Sequence, residues 1–200
     1  MPAERLASQI AFLAEADKLK NILRRTVLID DSRRENSAEH SWHLTLCAMT
    51  LLEYAAEPVD LLRVMKMLVV HDLVEIDAGD TFAHDPVANE TKRERELRAA
   101  QRIFGLLPSD LAAEVRGLWE DFEVQQTFNS RYANAIDRIQ PFFQNIHNRG
   151  GTWRIYGVTR EQVLARMEPI RTAMPSLWPV ILDGIAQYFS EQEKGQGHAG

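Results

Sequence analysis

The chain has 200 residues, 45% of them apolar, with a formal net charge of −6. That length supports one sizeable hydrophobic core, so a single domain over residues 1–190 is expected. The acidic balance excludes a protein that grips a nucleic-acid backbone through a broad basic face, although a local cluster such as Arg24, Arg25, Arg33 and Arg34 suits a small phosphorylated ligand.

The N-terminal stretch 4–15 carries Leu6, Ile10 and Leu13 at helical spacing. Glu4, Glu15 and Asp17 interleave with them, unlike a secretion signal. No run of about 18 apolar residues follows, so no membrane span is expected. Strand-like alternation is nearly absent, and the expected class is all-α: a compact helical bundle. Asn36-Ser-Ala-Glu39 reads as a capping box opening a helix through about Tyr54. Cys47, the single cysteine, sits in an apolar stretch of that helix and reads as a small core residue rather than a nucleophile. With no intrachain disulfide possible, a reducing, cytoplasmic setting is expected.

Pro58 begins a helix predicted to run to about Ile76, and 77–86 is rich in turn formers. Helices are expected over about 88–105, 109–123 and 129–147, the last interrupted by Pro141. Residues 148–151 read as a break, Thr159-Arg-Glu-Gln162 as a second capping box before two final helices, and the polar stretch from Glu191 as a disordered tail.

Three pieces of this pattern carry chemistry. Leu61, Val64, Met65 and Leu68 recur at i, i+3, i+4 and i+7, and continuing that stripe puts His71, Asp72 and Glu75 on the buried face, with Arg63 and Lys66 turned away. If the helix ends near Val70 instead, these groups are simply solvated. Burying charges costs several kcal/mol unless they are paired or bind metal, and three on one stripe favour a site. His40 lies one turn before Leu44 on the stripe of Cys47, Ala48, Leu51 and Leu52 and so faces inward; His43 reads as a hydrogen-bonded core residue. Asp137 falls on the flank of a helix whose apolar face is Tyr132, Ile136, Ile139 and Phe143. It shares that flank with Ala133, Gln140 and Gln144, and the angles allow either a cleft or solvent. Pro141 removes the donor that the Asp137 carbonyl would otherwise meet, so a kink is expected there. Two imidazoles and two carboxylates from His40, His71, Asp72 and Asp137 can surround one divalent ion.

The spacing H…HD…D resembles that of the HD-domain metal-dependent phosphohydrolases, and the flanking residues resemble their small 5′-deoxynucleotidase-like branch. Lys18-Leu-Lys-Asn-Ile-Leu-Arg24 is similar to the approach to a phosphate-orienting arginine. Arg24 and Arg25 are neighbours, and the spacing after the Leu-Lys pair favours Arg24. Arg33-Arg-Glu-Asn-Ser-Ala-Glu-His-Ser-Trp42 resembles R-x-E-N-x-x-E-H, Val70–Asp80 resembles H-D-x-x-E…G-D, and Ala135-Ile-Asp-Arg138 resembles the late aspartate motif. The likeness covers about residues 10–145; nothing beyond 147 matches a motif.

The resemblance implies a helical bundle, often dimeric, that hydrolyses deoxynucleoside 5′-monophosphates, with His40, His71, Asp72 and Asp137 as metal ligands. It implies Glu75 as the group that assists the chemistry, Arg24 as the phosphate holder, and His40, Asp80, Thr81 and Asp137 beside the substrate. The Gly79–Phe82 loop or the surroundings of Trp42 would meet the sugar. Mixed nitrogen and oxygen ligation accepts Mn, Co, Fe, Ni or Zn, and Mg less readily. Two-metal members need further histidines between the HD pair and the last aspartate; only His84 lies there, so one metal is expected. His147 and His198 read as surface residues. The rival readings are an HD phosphohydrolase acting on a triphosphate or alarmone, and a helical interaction protein with a structural metal.

Overall fold

The computed structural model describes residues 2–82, 87 and 90–196. Helices dominate: α1 (Pro2–Ala16), α2 (Ser37–Thr50), α3 (Leu61–Val70), α4 (Glu75–Ala78), α5 (Lys92–Phe104), α6 (Ser109–Val124), α7 (Phe128–His147), α8 (Gly151–Tyr156), α9 (Arg160–Ala173) and α10 (Trp178–Gln196). The all-α expectation holds, with one local departure. Leu23–Val27 (β1) and Arg34–Asn36 (β2) pair antiparallel. Thr26, Val27 and Ile29 do cluster β-branched side chains, and Asp30-Asp31-Ser32 supplies the turn, with Asp31 at φ +60°. The strands are short and rich in arginine, so periodicity does not reveal the pairing.

The capping boxes form as read. The Asn36 side chain accepts from the Glu39 amide at 2.9 Å, and Glu39 returns the contact to the Asn36 amide at 3.3 Å; Thr159 and Gln162 do the same for α9. Helix α2 stops at Thr50, before a short 3-10 turn over Leu52–Tyr54. Helix α3 ends at Val70, six residues short of expectation, and its fully buried stripe uses Met67 rather than Met65. Helix α7 runs through Pro141 without a break. Three helices follow the break at 148–150, where two were expected, and α10 continues to Gln196, into the polar stretch expected as a tail. His84 and His198 lie outside the described residues, whereas His147 is exposed as expected.

Helix α7 is the spine, with α2, α3, α6 and α9 packed around it. Tyr132, Ala133, Ala135, Ile136 and Ile139 are fully buried along it, among Leu44, Val64, Leu68, Ile170 and Ile181 from its neighbours. A smaller cluster of Leu19, Leu73, Val74, Ala99, Ile103, Phe104 and Trp119 holds the N-terminal segment and α5 against the α3–α4 corner. No helix among the described residues is long and apolar enough to cross a membrane.

Candidate metal and phosphate site

Every polar group singled out on the buried stripes converges between β1, α2, the α3–α4 corner and α7. His40 stands in the first turn of α2 and is completely buried. Its Nδ1–H donates to Gln140 Oε1 at 2.9 Å, and the Gln140 amide is fixed by donating to Glu35 Oε1 (2.9 Å) and His43 Nδ1 (3.0 Å). Gln144 donates to the same Glu35 oxygen. This chain of bonds fixes the ring so that Nε2 faces the site, 3.0 Å from Asp137 Oδ1 and 4.0 Å from Asp72 Oδ2. His43 is thereby a hydrogen-bonded inner residue, as expected.

His71 follows the last residue of α3. Its Nδ1–H donates to the Leu68 carbonyl at 2.9 Å, which leaves Nε2 bare. That atom is buried with no hydrogen-bond partner and lies 3.0 Å from Asp72 Oδ1 and 3.8 Å from Asp137 Oδ1. The ring is wedged against Phe122, 4.8 Å between centroids. The helix does end near Val70, yet His71, Asp72 and Glu75 remain buried because the corner itself packs inward. Ligand atoms of His40, His71 and Asp72 lie within 4.8 Å of one another, a set that could hold a metal ion. An orphaned imidazole nitrogen beside carboxylate oxygens, with the other ring nitrogen donating outward, fits a divalent cation: such ligands are held in the right tautomer by their second hydrogen bond.

Electrostatics separate the acids. Burial opposes the charge of Asp137, but the hydrogen bond with His40, then the positive charge of Arg166, hold it well below the usual carboxylate range. Burial, then the Asp72 charge, push Glu75 well above it, against the pull of Arg24 and the Ser37 hydroxyl that donates to Oε2 at 2.7 Å. Burial also raises Asp80, aided by Asp72 and opposed by Arg24. Burial and Arg24 work against a charged His40, but the bonds to Asp137 and Glu35 and the Asp72 charge outweigh them and bring it up to about 9. A proton there occupies the place that a metal would take.

The carboxylates of this cluster border a cavity of about 230 Å³, with the two imidazoles behind them. Asp72, Glu75, Asp80 and Asp137 line it, and so do Arg24, Arg25, Lys92, Arg138 and Arg166. Arg24 Nη1 donates to Asp72 Oδ2 at 2.9 Å, and its Nε stands 3.7 Å from Glu35 Oε2. Arg25 instead reaches the Tyr156 hydroxyl at 3.3 Å. Gly79, at φ +75°, turns the chain after α4 so that Asp80, Thr81 and Phe82 border the cavity, a backbone conformation that favours glycine. The Thr81 hydroxyl accepts from Arg95 at 2.9 Å.

Three expectations need correction. Arg33 pairs with Glu39 on the surface, and Arg34 donates to the Leu23 and Arg24 carbonyls, so both brace the hairpin and neither lines the cavity. Trp42 is 66% exposed and lies outside the cavity lining. Conversely, Glu35, Gln140, Arg138 and Arg166 were not singled out for the site. Gln140 had a signal, since Asp137, Gln140 and Gln144 recur at i, i+3 and i+7 on one polar flank. Arg166 had none, because its partner is 29 residues away.

The HD domain family model matches residues 16–178, reaching past the stretch up to 147 in which motifs are legible. A crystal structure of a predicted metal-dependent phosphohydrolase from Magnetospirillum magnetotacticum is 48% identical and superposes with a TM-score of 0.88 over 94% of this chain and 96% of that one. Among curated proteins, the 5′-deoxynucleotidase HDDC2 of Homo sapiens is 28% identical over 138 residues, covering 68% of this chain and 66% of the relative. That of Danio rerio is 31% identical over 110 residues, covering 55% and 54%. The matched part thus spans two thirds or less of the length of these two relatives. With the H…HD…D residues gathered at one cavity and the family model covering most of the sequence, the chain belongs to the HD domain family.

Proposed function

We propose that the protein is a metal-dependent 5′-deoxynucleotidase, with residues 1–190 acting as one domain. The observation that carries this reading is the meeting of His40, His71 and Asp72 with Asp137, beside a cavity that also presents a guanidinium at Arg24 and a raised carboxyl at Glu75. One divalent ion on those four side chains would supply Lewis-acid polarisation of the phosphoryl group and an acidified water. The two imidazoles disfavour Mg and leave Mn, Co, Fe, Ni and Zn open.

The chain's own residues then divide the work. Gln140 and Glu35 hold His40 in its tautomer, and the Leu68 carbonyl does so for His71. Arg24, kept charged above all by Asp72 despite its burial, presents a planar fork to phosphate oxygens. The phosphorus–oxygen bond to the 5′ carbon breaks as the water oxygen bonds to phosphorus, and the departing 5′ oxygen needs a proton. Glu75 is suited to deliver it, because burial and Asp72 keep its carboxyl protonated to higher pH than an exposed glutamate. Asp80 and Thr81 border the same space and are the candidates for sugar contacts.

Assay of the five common deoxynucleoside monophosphates against their ribose and triphosphate counterparts tests the substrate. Faster release from the monophosphates is expected, and equal or faster hydrolysis of triphosphates would overturn it. Arg24→Lys keeps the charge but loses the fork and should impair turnover. Elemental analysis should find about one metal per chain, whereas two metals about 3.5–4 Å apart would replace the mononuclear site. A homodimer, which the resemblance implies, is checked by light scattering.

A further inference from the structure

The α7–α9 wall of the cavity carries positive charge that the mechanism above leaves unused. Arg138 lines the cavity, and its Nε and Nη1 are buried without a hydrogen-bond partner. Arg166 lines the same space and donates from Nη2 to Asp137 Oδ2 at 3.2 Å. Both therefore flank Asp137: Arg138 follows it in sequence and Arg166 is bonded to it. The Asp137 carboxylate already serves His40 through its other oxygen, so it does not satisfy a second guanidinium.

The remaining cations of the cavity have partners. Arg24 donates from Nη1 to Asp72, with its Nε open but 3.7 Å from Glu35 Oε2, Lys92 lies 3.5 Å from Glu96, and Arg25 reaches Tyr156. A buried guanidinium with open donors costs stability, and buried charges in folded proteins are normally paired. A ligand that brings acceptors removes that cost. Planar, diverging N–H groups match the oxygens of a phosphate, which can accept two parallel bonds from one arginine.

We infer that Arg138, with Arg166 beside it, forms a second oxyanion clamp, separate from Arg24, that takes the phosphate oxygens of the bound phosphomonoester and holds inorganic phosphate after hydrolysis. The inference rests on the phosphomonoesterase part of the proposed function and is independent of which nucleoside is attached.

Inorganic phosphate is the probe, titrated calorimetrically into the metal-loaded protein. Arg138→Met should weaken phosphate at least ten-fold. Its ligand-free melting temperature should be no lower than that of the original protein, because an unpaired buried charge has been exchanged for an apolar side chain of similar length. The rise in melting temperature that phosphate gives the original protein should be lost. An unchanged dissociation constant in Arg138→Met overturns the clamp. Should that variant fail to fold, Arg138→Lys decides: it keeps charge without the fork, so phosphate should again weaken, and full affinity would assign Arg138 a structural role instead. Loss of phosphate affinity in these variants, in a protein that cleaves p-nitrophenyl phosphate but no nucleoside monophosphate, would sink the nucleotidase reading while leaving the clamp standing.

Discussion

The two walls of the cavity are built on opposite terms. On the α2–α3 side, each imidazole is tied through its outer nitrogen, Glu35 is met by two glutamine amides, and Arg24 is bonded to Asp72. On the α7–α9 side, the half-buried Arg138 keeps Nε and Nη1 buried and open, and Arg166 shares a single carboxylate. The first wall is tied from behind, each imidazole aimed by its outer bond while inward atoms such as His71 Nε2 stay without a partner, as a site must be that holds ligand atoms in fixed directions. The second keeps uncompensated charge, a cost that a bound anion can remove. Outer hydrogen bonds thus mark the part of the site that positions its ligand atoms, and open guanidinium donors beside a shared carboxylate mark the part suited to receive an anion.

The largest effect should come from Glu75, which belongs to the first wall and carries a perturbed carboxyl. Glu75→Gln should retain metal and lower kcat by roughly 10²–10⁴-fold; loss of metal would make Glu75 a ligand instead. The same variant has a stability signature in metal-free protein. Glu75 titrates higher folded than unfolded, so the folded state binds the extra proton. Its contribution to stability is full below the unfolded glutamate value, about 4.3, and is lost as pH rises through the folded value. Glu75→Gln should therefore gain on the original protein in urea melts as pH rises from about 4, and the two should converge at lower pH. A constant difference across that range would contradict the burial of an ionisable group there.

A smaller effect, confined to the metal, should follow from Gln140→Leu. It strips His40 of its acceptor and Glu35 of one donor, and outer partners of this kind typically contribute 10–100-fold in metal affinity. Chelator competition reads the change; undiminished affinity would mean that the first wall is not held by its outer bonds. The smallest effect is expected at Arg33, whose pair with Glu39 is exposed on both sides. Arg33→Ala should leave stability in thermal melts nearly unchanged, because an exposed pair is screened by solvent, and leave turnover unchanged. A marked loss of activity would return Arg33 to the phosphate site from which its position removes it.

Much of the first wall was legible in the sequence. The Asn36–Glu39 capping box fixed the start of α2 and hence the turn on which His40 faces inward. The stripe of Val64 and Leu68 led to His71 and Asp72, although the helix that carried the argument stops at Val70. The inference survived because a corner packed on Leu73 and Val74 buries the same side chains that a continued helix would have buried. The hairpin that presents Arg24 was not legible, since strands of five and three residues rich in arginine take their hydrogen bonds from each other and not from local pattern.

The sequence by itself determined the class of the fold, the caps, the buried faces and the identity of the polar groups set into them. These follow from contacts within a few residues, where side-chain direction repeats with the helix. Tertiary structure alone decided which of those groups meet. Gln140 reaches His40 across 100 residues, Arg24 reaches Asp72 across 48, and Arg166 reaches Asp137 across 29. Arg138 stays open while Arg33 is turned away to the surface. Such pairings depend on how helices stack around α7, and stacking is set by the summed packing of many apolar side chains, none of which records its polar neighbours in the local sequence.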